Sequence, residues 1–221
     1  MNDGHSKEYN IAVQRLKMPP RMLKLPVDER GFPVPKFVQW IDGKPDFRVV
    51  NQSFMANAVR IKLCWLCGEA LGRYQAFVIG PMCSINRVSS EPPSHLECAR
   101  FAVQACPFLT QPNRGRNEHE LPEHQMPGGI PVLHNPGVTL VWVTESYKPI
   151  RVAPKKPPLF QIGDPTSVEW WARGRTATRD EIMDAIAKGL PLLVKEAKRE
   201  GPDAEDALRE MISVGLALVP T

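Results

Sequence analysis

The sequence predicts an α+β protein with three parts: a central module held together by a metal ion, a small antiparallel sheet and a C-terminal helical segment. Three observations lead to this prediction. Metal-ligating residue types occur in pairs in CWLCG, residues 64–68, and SHLEC, residues 94–98. Strand-like apolar runs occupy residues 73–82 and 138–147. The residues after 172 space their apolar side chains as a helix does.

The N-terminal half of this fold is predicted from turn and cap signals. Residues 36–50, KFVQWIDGKPDFRVV, have the pattern of two short strands joined by an Asp-Gly turn. Ser53 is expected to cap a helix that runs to Ile61 and leads the chain into CWLCG. Residues 83–93 are predicted to be a loop that follows the first strand-like run.

The helices are predicted from capping boxes and from glycine and proline. Ser94 and Glu97 have the S-x-x-E spacing of a capping box, and Pro107 is expected to end the helix that they begin. Thr178 and Glu181 form a second box of the same kind. Glycine followed by proline marks the two boundaries between three predicted C-terminal helices, at Gly189 with Pro191 and at Gly201 with Pro202.

The composition is globular and mildly basic. Of 221 residues, 43% are hydrophobic and 24% are charged, which is the range of globular proteins and argues against wholesale disorder. The net charge of +4 permits contact with nucleic acid without requiring it. The N-terminus lacks the apolar core of a signal peptide, and no apolar run is long enough to span a membrane. We therefore expect a cytoplasmic protein that does not contact a membrane.

The chain divides into five predicted segments. They are a basic extended arm (1–36), a zinc-binding module (37–109), a polar loop or linker (110–129), a β-rich segment (130–172) and a C-terminal helical segment (173–221). An alternative division treats residues 37–221 as one compact domain.

Cys64, Cys67, His95 and Cys98 are predicted to bind one zinc ion per chain. Thiolate and imidazole are the commonest ligands of protein-bound zinc. The C-x-x-C turn can point two thiolates at one ion, and Gly68 permits a tight turn behind it. Near the start of a helix, a spacing of three places His95 and Cys98 on one face. Four protein ligands leave no position for an activated water, so the predicted site is structural.

Two other cysteines leave alternatives open at this centre. Cys83 could replace His95 as the fourth ligand, or could lie nearby as a free thiol. Cys106 follows Cys98 by two helical turns, too far to reach the same ion, and is expected to be a small buried hydrophobe. A redox dithiol at C-x-x-C is disfavoured, because such pairs begin a helix and here a predicted helix comes before them.

From Cys64 to about Cys106 the sequence resembles treble-clef zinc fingers, in which a two-ligand turn, a hairpin and a helix start share one ion. Treble clefs also scaffold HNH nucleases, but the only histidine between Cys67 and Cys98 is His95. The whole chain is also similar to a group of bacterial and phage-borne proteins of unknown activity, which implies a bacterial or host cytoplasm. That similarity rests on CWLCGEALG, AFVIGPM, EPPSHLECA, CPFL, NPG with VWVT, and WWARGRTAT.

A binding protein is the predicted function, as an accessory factor that contacts nucleic acid or a protein partner. The candidate nucleic-acid-binding residues lie in the arm and near residue 170: Arg15, Lys17, Arg21, Lys24, Trp170, Trp171, Arg173 and Arg175. The arm could instead be a solvated charge run, and the tryptophan pair could instead be a seam where the C-terminal helices dock.

An enzyme is the alternative function, with a pocket near Cys83 and His134. No Gly-rich phosphate loop and no G-x-S-x-G occur, so neither a small-molecule cofactor nor a catalytic residue is predicted. His119 and His124 lie among glutamates, where a second metal or simply a solvated polar loop is possible.

Overall fold

The computed structural model describes residues 8–111, 115, 134–151 and 157–221. Its helices are α1 (Ile11–Gln14), α2 (Gln52–Ile61), α3 (Pro81–Asn86), α4 (Leu96–Ala105), α5 (Pro107–Thr110), α6 (Arg179–Glu200) and α7 (Pro202–Leu216). Its strands are β1 (Val38–Ile41), β2 (Lys44–Val50), β3 (Gln75–Ile79), β4 (Val88–Ser89), β5 (Thr139–Thr144), β6 (Tyr147–Ile150), β7 (Leu159–Ile162), β8 (Pro165–Ala172) and β9 (Arg175–Thr176). This mixture confirms an α+β protein with small antiparallel sheets.

Part of the predicted polar linker and its two histidines lie outside the described residues. Positions 112–114 and 116–133, with His119 and His124, belong to this part of the chain, and so do positions 152–156. In the residues that the structure does describe, no helix is both long enough and apolar enough to cross a membrane.

A four-stranded antiparallel sheet, in the order β3-β5-β8-β9, forms the centre of the described fold. Every residue of β5 is buried, because both faces of the sheet are covered. Val141 and Val143 face α4 with Ala99 and Val103. Trp142, on the alternate face, belongs with Leu140 to the main core beneath the C-terminal helices. The apolar run VTLVWV thus reflects a strand buried on both sides.

Two smaller sheets complete the architecture. A three-stranded sheet has the order β4-β7-β6 and adds Phe160 and Ile162 to the main core. The hairpin β1–β2 turns at Asp42 and Gly43, which both have positive φ, as the Asp-Gly sequence predicts. The cap of α2 was expected at Ser53, and this is wrong. Asn51 is the cap instead, and its Oδ1 accepts a hydrogen bond from the N–H of Phe54 at 2.9 Å.

Helix α6 runs unbroken through the predicted boundary at Gly189 and Pro191, so that prediction is wrong. Gly189 has no positive φ and does not end a helix. A Cβ at this position would lie 2.8 Å from atoms of the Met82 side chain, so the glycine permits close packing of α6 on α3. The boundary at Gly201 and Pro202 is confirmed, since Gly201 has a φ of 115° and α7 begins at Pro202.

The loop predicted for residues 83–93 is also wrong in part, because α3 and β4 occupy its first half. Pro81 supplies the first helical residue of α3 after Gly80. Arg87 ends the helix in the left-handed region, and the Oδ1 atom of Asn86 accepts a hydrogen bond from the N–H of Val88. Ile85 of α3 then packs against Gly215 of α7.

The capping box at Thr178 and Glu181 is confirmed. It leads to a prediction about how the stability of the protein depends on pH. The Glu181 carboxylate accepts hydrogen bonds from Arg175 at 2.7 Å and from the N–H of Thr178 at 2.9 Å. These partners, Arg175 first, lower the pKa of Glu181 from 4.5 to about 2. The stability that this carboxylate contributes is therefore fully present above pH 4.5 and is lost as the pH falls toward 2.

We expect urea unfolding of the wild type and of Glu181→Gln to differ at neutral pH, with the wild type more stable. The difference should shrink as the pH falls from 4.5 to 2, because both side chains are then neutral. The group lies near the surface, so the effect should be small. A difference that does not change over this range would contradict the assigned role.

Candidate metal centre

The first pair of candidate ligands lies in a tight hairpin spanning residues 62–71. Its ends are joined by a hydrogen bond from the N–H of Leu71 to the carbonyl of Lys62, at 2.9 Å. Gly68 turns the chain with a φ of 78° and donates its N–H to the carbonyl of Cys64. Both thiols of C-x-x-C are therefore held by one short turn, as the glycine predicts.

The second pair lies at the start of α4, which begins one residue later than predicted. The cap is His95, and Ser94 makes no capping box, so the expected box is wrong. The backbone of Ser94 exchanges two hydrogen bonds with Ala76 of β3, at 2.8 and 2.7 Å, which keeps it extended. His95 and Cys98 still share one face, because their spacing of three is unchanged.

The structure brings Cys64, Cys67, His95 and Cys98 together, as the sequence predicts. Their candidate ligand atoms all lie within 4.8 Å of one another. The Sγ atom of Cys67 lies 3.4 Å from Nδ1 of His95. All four residues are buried, with exposed fractions of 0%, 1%, 8% and 0% in chain order. CWLCG and SHLEC therefore form one buried group of four possible metal ligands.

Backbone groups orient this cluster from outside. The Nε2 atom of His95 lies 3.0 Å from the carbonyl oxygen of Ala70, so Nε2 carries the proton and Nδ1 faces the sulfur atoms. The N–H groups of Cys67 and His95 both point at Sγ of Cys64, at 3.5 and 3.4 Å. These contacts fix the imidazole and favour a thiolate at Cys64.

The protonation states of the four clustered groups depend on one another. Hydrogen bonds from Cys67 and Cys98 lower the pKa of Cys64 far below its ordinary value. The pKa of Cys98 is raised, first by its hydrogen bond to Cys64. Burial alone lowers the pKa of His95, but its hydrogen bonds to Cys64 and Cys67 raise it to about 10. Sulfur atoms this close ionise together only when positive charge lies among them.

The arm covers the cluster from one side. The side chains of Val13, Met22 and Leu25 are buried in one apolar group with the three clustered cysteines, Leu66, Phe101 and Ala105. A hydrogen bond from the N–H of Lys36 to the carbonyl of Leu66, at 2.9 Å, joins the end of the arm to the ligand hairpin. The four donors are thereby closed off from solvent.

Cys83 lies apart from the cluster, on α3, so it does not take the place of His95. Burial raises the pKa of Cys83 to about 11, which keeps it a neutral thiol at neutral pH. Cys106 lies between α4 and α5 and is also outside the cluster. His134 is exposed and forms a bridge with Gly115.

We expect Cys83 to resist alkylation by iodoacetamide in the native protein at pH 7, because only the thiolate is a nucleophile. Mass spectrometry of peptides should find it unlabelled until the protein is denatured, while a short peptide with an unburied cysteine reacts. Rapid labelling in the native state would show an accessible, ionised thiol and would favour the enzyme alternative.

The candidate nucleic-acid-binding residues of the arm fall into two kinds. Arg21 pairs with Glu97 at 3.1 Å, and Lys24 pairs with Glu69, so both cations are partly neutralised. Arg15 and Lys17 are exposed, and no ion-pair partner of theirs is found among the described residues. Only this second pair presents unneutralised charge.

The residues near 170 form a docking seam. Trp170 is 3% exposed, and its Nε1–H donates to the carbonyl of Leu218 at 3.1 Å, so a base cannot stack on it in this structure. Trp171 lies on the opposite face, against α4. Arg175 is paired with Glu181, and Arg173 lies in the tight turn between β8 and β9.

Asn135 is a structural residue that the sequence reasoning missed. Its Nδ2 donates to the carbonyls of Phe108 and Gln111, at 2.7 and 2.9 Å, and so caps the end of α5. Its Oδ1 accepts from the N–H of Gly137 at 2.8 Å. The turn sequence N-P-G signals the second contact but gives no indication of the first, which joins distant parts of the chain.

The topology between the ligand pairs departs from the expected hairpin. Strand β3 pairs with β5, and β4 pairs with β7, so these two strands do not pair with each other. Residues 68–93, all of which the structure describes, therefore form no hairpin of the treble-clef kind between the two ligand pairs, and a treble clef is not confirmed. In comparisons with known proteins, no family model, curated protein or solved structure matches this chain, and the resemblance to bacterial and phage-borne proteins gains no support.

Proposed function

We propose that Cys64, Cys67, His95 and Cys98 hold one structural zinc ion, and that the chain is a zinc-stabilised binding protein with a treble-clef-like metal module. A single observation carries this proposal: the ligand atoms of four buried residues of the right chemistry all lie within 4.8 Å of one another. Its partner, in this proposal, is nucleic acid or another protein.

The chemistry of the donor set supports zinc. Three thiolates and one imidazole suit a tetrahedral ion of borderline softness. With Zn–S near 2.3 Å and Zn–N near 2.0 Å, a tetrahedron separates sulfur from nitrogen by about 3.5 Å. The observed distance between Cys67 Sγ and His95 Nδ1 is 3.4 Å. The spacing of Cys67 and His95 therefore fits the ion without rearrangement of this pair.

The closure of the site supports a structural role. Four protein ligands fill the coordination sphere of zinc and leave no position for substrate or activated water. The arm and α4 cover the cluster, and the Ala70 carbonyl fixes the ring of His95. When bound, the ion would hold the ligand hairpin to α4, and binding would take place on the surfaces that this junction supports.

Replacement of zinc by cobalt(II) tests the ligand set. A four-coordinate cobalt ion with thiolate ligands absorbs strongly in the visible range and shows sulfur-to-metal charge transfer, whereas a six-coordinate ion absorbs weakly. We expect the strong spectrum from the wild type and from Cys83→Ser and Cys106→Ser, the matched controls. Loss of the charge-transfer bands in Cys83→Ser, or a weak six-coordinate spectrum in the wild type, would contradict the proposal.

A further inference from the structure

Charge is unevenly divided along the chain. Residues 8–111, which contain the metal cluster, carry 13 Lys and Arg against 8 Asp and Glu. Residues 179–221, the C-terminal helices, carry 6 against 9. Such asymmetry favours an anionic partner on the metal-binding side of the protein and disfavours one on the helical side.

The acidic side chains around the metal module are largely engaged. Glu69 pairs with Lys24 and Arg21, and Glu97 pairs with Arg21. Asp46 of the β1–β2 hairpin pairs with Arg48 at 2.7 Å. These pairs remove much of the negative field that would repel a phosphate from this region.

Five exposed cations of residues 8–111 have no ion-pair partner among the described residues: Arg15, Lys17, Lys36, Arg60 and Lys62. Arg60 lies on α2 and donates a hydrogen bond to Oδ1 of Asn57 at 3.1 Å, which leaves Arg15, Lys17, Lys36 and Lys62. Lys36 and Lys62 flank the ligand hairpin. The side chain of Lys36 lies against Gly68, and the carbonyl of Lys62 closes the hairpin at Leu71. Arg15 and Lys17 lie on either side of Leu16, which packs on the apolar group around the cysteines. We call these four residues the basic face.

The β1–β2 hairpin carries an exposed aromatic side chain. Trp40 of β1 is 41% exposed, whereas Trp65, Trp142 and Trp170 are at most 3% exposed and Trp171 is partly buried. The hairpin that carries Trp40 is tied to the metal module. Phe37 stacks on Trp65 of CWLCG with ring centroids 4.9 Å apart and an interplanar angle of 7°.

We propose that the basic face and Trp40 bind single-stranded nucleic acid, with the four cations on phosphates and the indole stacked on a base. Cations along a backbone path, together with an exposed aromatic ring, are what sequence-independent single-strand binding requires. A duplex keeps its bases stacked on one another and would leave Trp40 without a base to contact. This inference rests on the proposed function, because the metal centre holds the arm and the hairpin in place.

Fluorescence anisotropy with the full-length zinc-loaded chain tests this inference. The probes are labelled oligo-dT, oligo-U and a duplex of equal length, titrated at several salt concentrations. We expect the single strands to bind more tightly than the duplex, with affinity falling as salt rises, and to quench tryptophan fluorescence through Trp40. Trp40→Leu should weaken single-strand binding by about 5-fold to 150-fold and abolish most of the quenching.

The basic face is tested by a charge-matched pair of double variants. Lys36→Gln with Lys62→Gln should reduce the salt slope of log affinity by about 1.4, since each single-strand phosphate contact contributes about 0.7. Lys195→Gln with Lys198→Gln removes the same charge from the exposed side of α6 and should leave the slope unchanged.

Three outcomes would overturn the inference: no binding to either single strand at low salt, tighter binding to the duplex, or equal effects of the two double variants. Zinc content, measured on the same samples, separates this inference from the proposed function. A chain that holds one zinc ion but does not bind nucleic acid contradicts only the inference of single-strand binding, and it indicates a protein partner. A chain without zinc contradicts the proposed function itself.

Discussion

Replacing Cys64 or Cys98 by serine is expected to release the zinc ion and to unfold at least the metal module. Both side chains are fully buried, and a hydroxyl is a poor zinc ligand compared with a thiolate. Structural zinc contributes about 10 kcal/mol or more to the folding of small sites, which is as large as the net free energy of unfolding of a typical domain, about 5–15 kcal/mol. The loss should extend to the arm, because Val13, Met22 and Leu25 pack on the same cysteines.

Zinc content and thermal unfolding, followed by circular dichroism, measure this effect. Limited proteolysis should cleave the arm rapidly in Cys64→Ser and slowly in the wild type. Cys83→Ser and Cys106→Ser are the controls, and both should keep one zinc ion and a melting temperature close to that of the wild type. A Cys98→Ser protein that retains zinc and melts at the wild-type temperature would show that this cluster does not bind the ion.

Replacing Trp170 by alanine is expected to lower the free energy of unfolding by about 3–5 kcal/mol. The indole is 3% exposed, stands opposite Leu140 of β5 and packs in the core that the C-terminal helices cover. Its Nε1–H also donates to the carbonyl of Leu218 at 3.1 Å, which joins the sheet to the end of the chain. Truncation removes both the packing and this hydrogen bond.

Urea denaturation measures this second effect, with the midpoint as the readout. Trp170→Phe keeps most of the apolar contact and should cost less than the alanine variant. Trp40→Ala, at a site that is 41% exposed, should change the free energy by less than about 1 kcal/mol. If Trp170→Ala unfolds at the same urea concentration as Trp40→Ala, Trp170 does not anchor the C-terminal helices.

The metal ligands could be found from the sequence because their chemistry and spacing are local signals. C-x-x-C followed by glycine predicts the ligand hairpin, and the spacing of three predicts the shared face of His95 and Cys98. The same local reasoning placed the helix start one residue early, since Ser94 can cap a helix in isolation. The bridge from Ser94 to Ala76 overrides this preference, and a contact of that range cannot be seen in local spacing.

The boundary at Gly189 and Pro191 failed for a related reason. Glycine and proline interrupt isolated helices, but here the lack of a Cβ lets α6 approach Met82, and the packed interface outweighs the local preference. The pairing of β3 with β5 and of β4 with β7 was likewise beyond local patterns. The sequence predicted the candidate metal ligands and their local spacing well. It could not show which distant segments of the chain pair with each other.

Metal analysis of the purified full-length chain is the most direct test of the central claim. The protein should be expressed without an affinity tag that binds metal, dialysed against metal-free buffer, and measured by inductively coupled plasma mass spectrometry against its amino-acid concentration. The structure leads us to expect one zinc ion per chain in the wild type and none in Cys64→Ser. A wild-type chain that folds fully and contains no zinc would contradict the account.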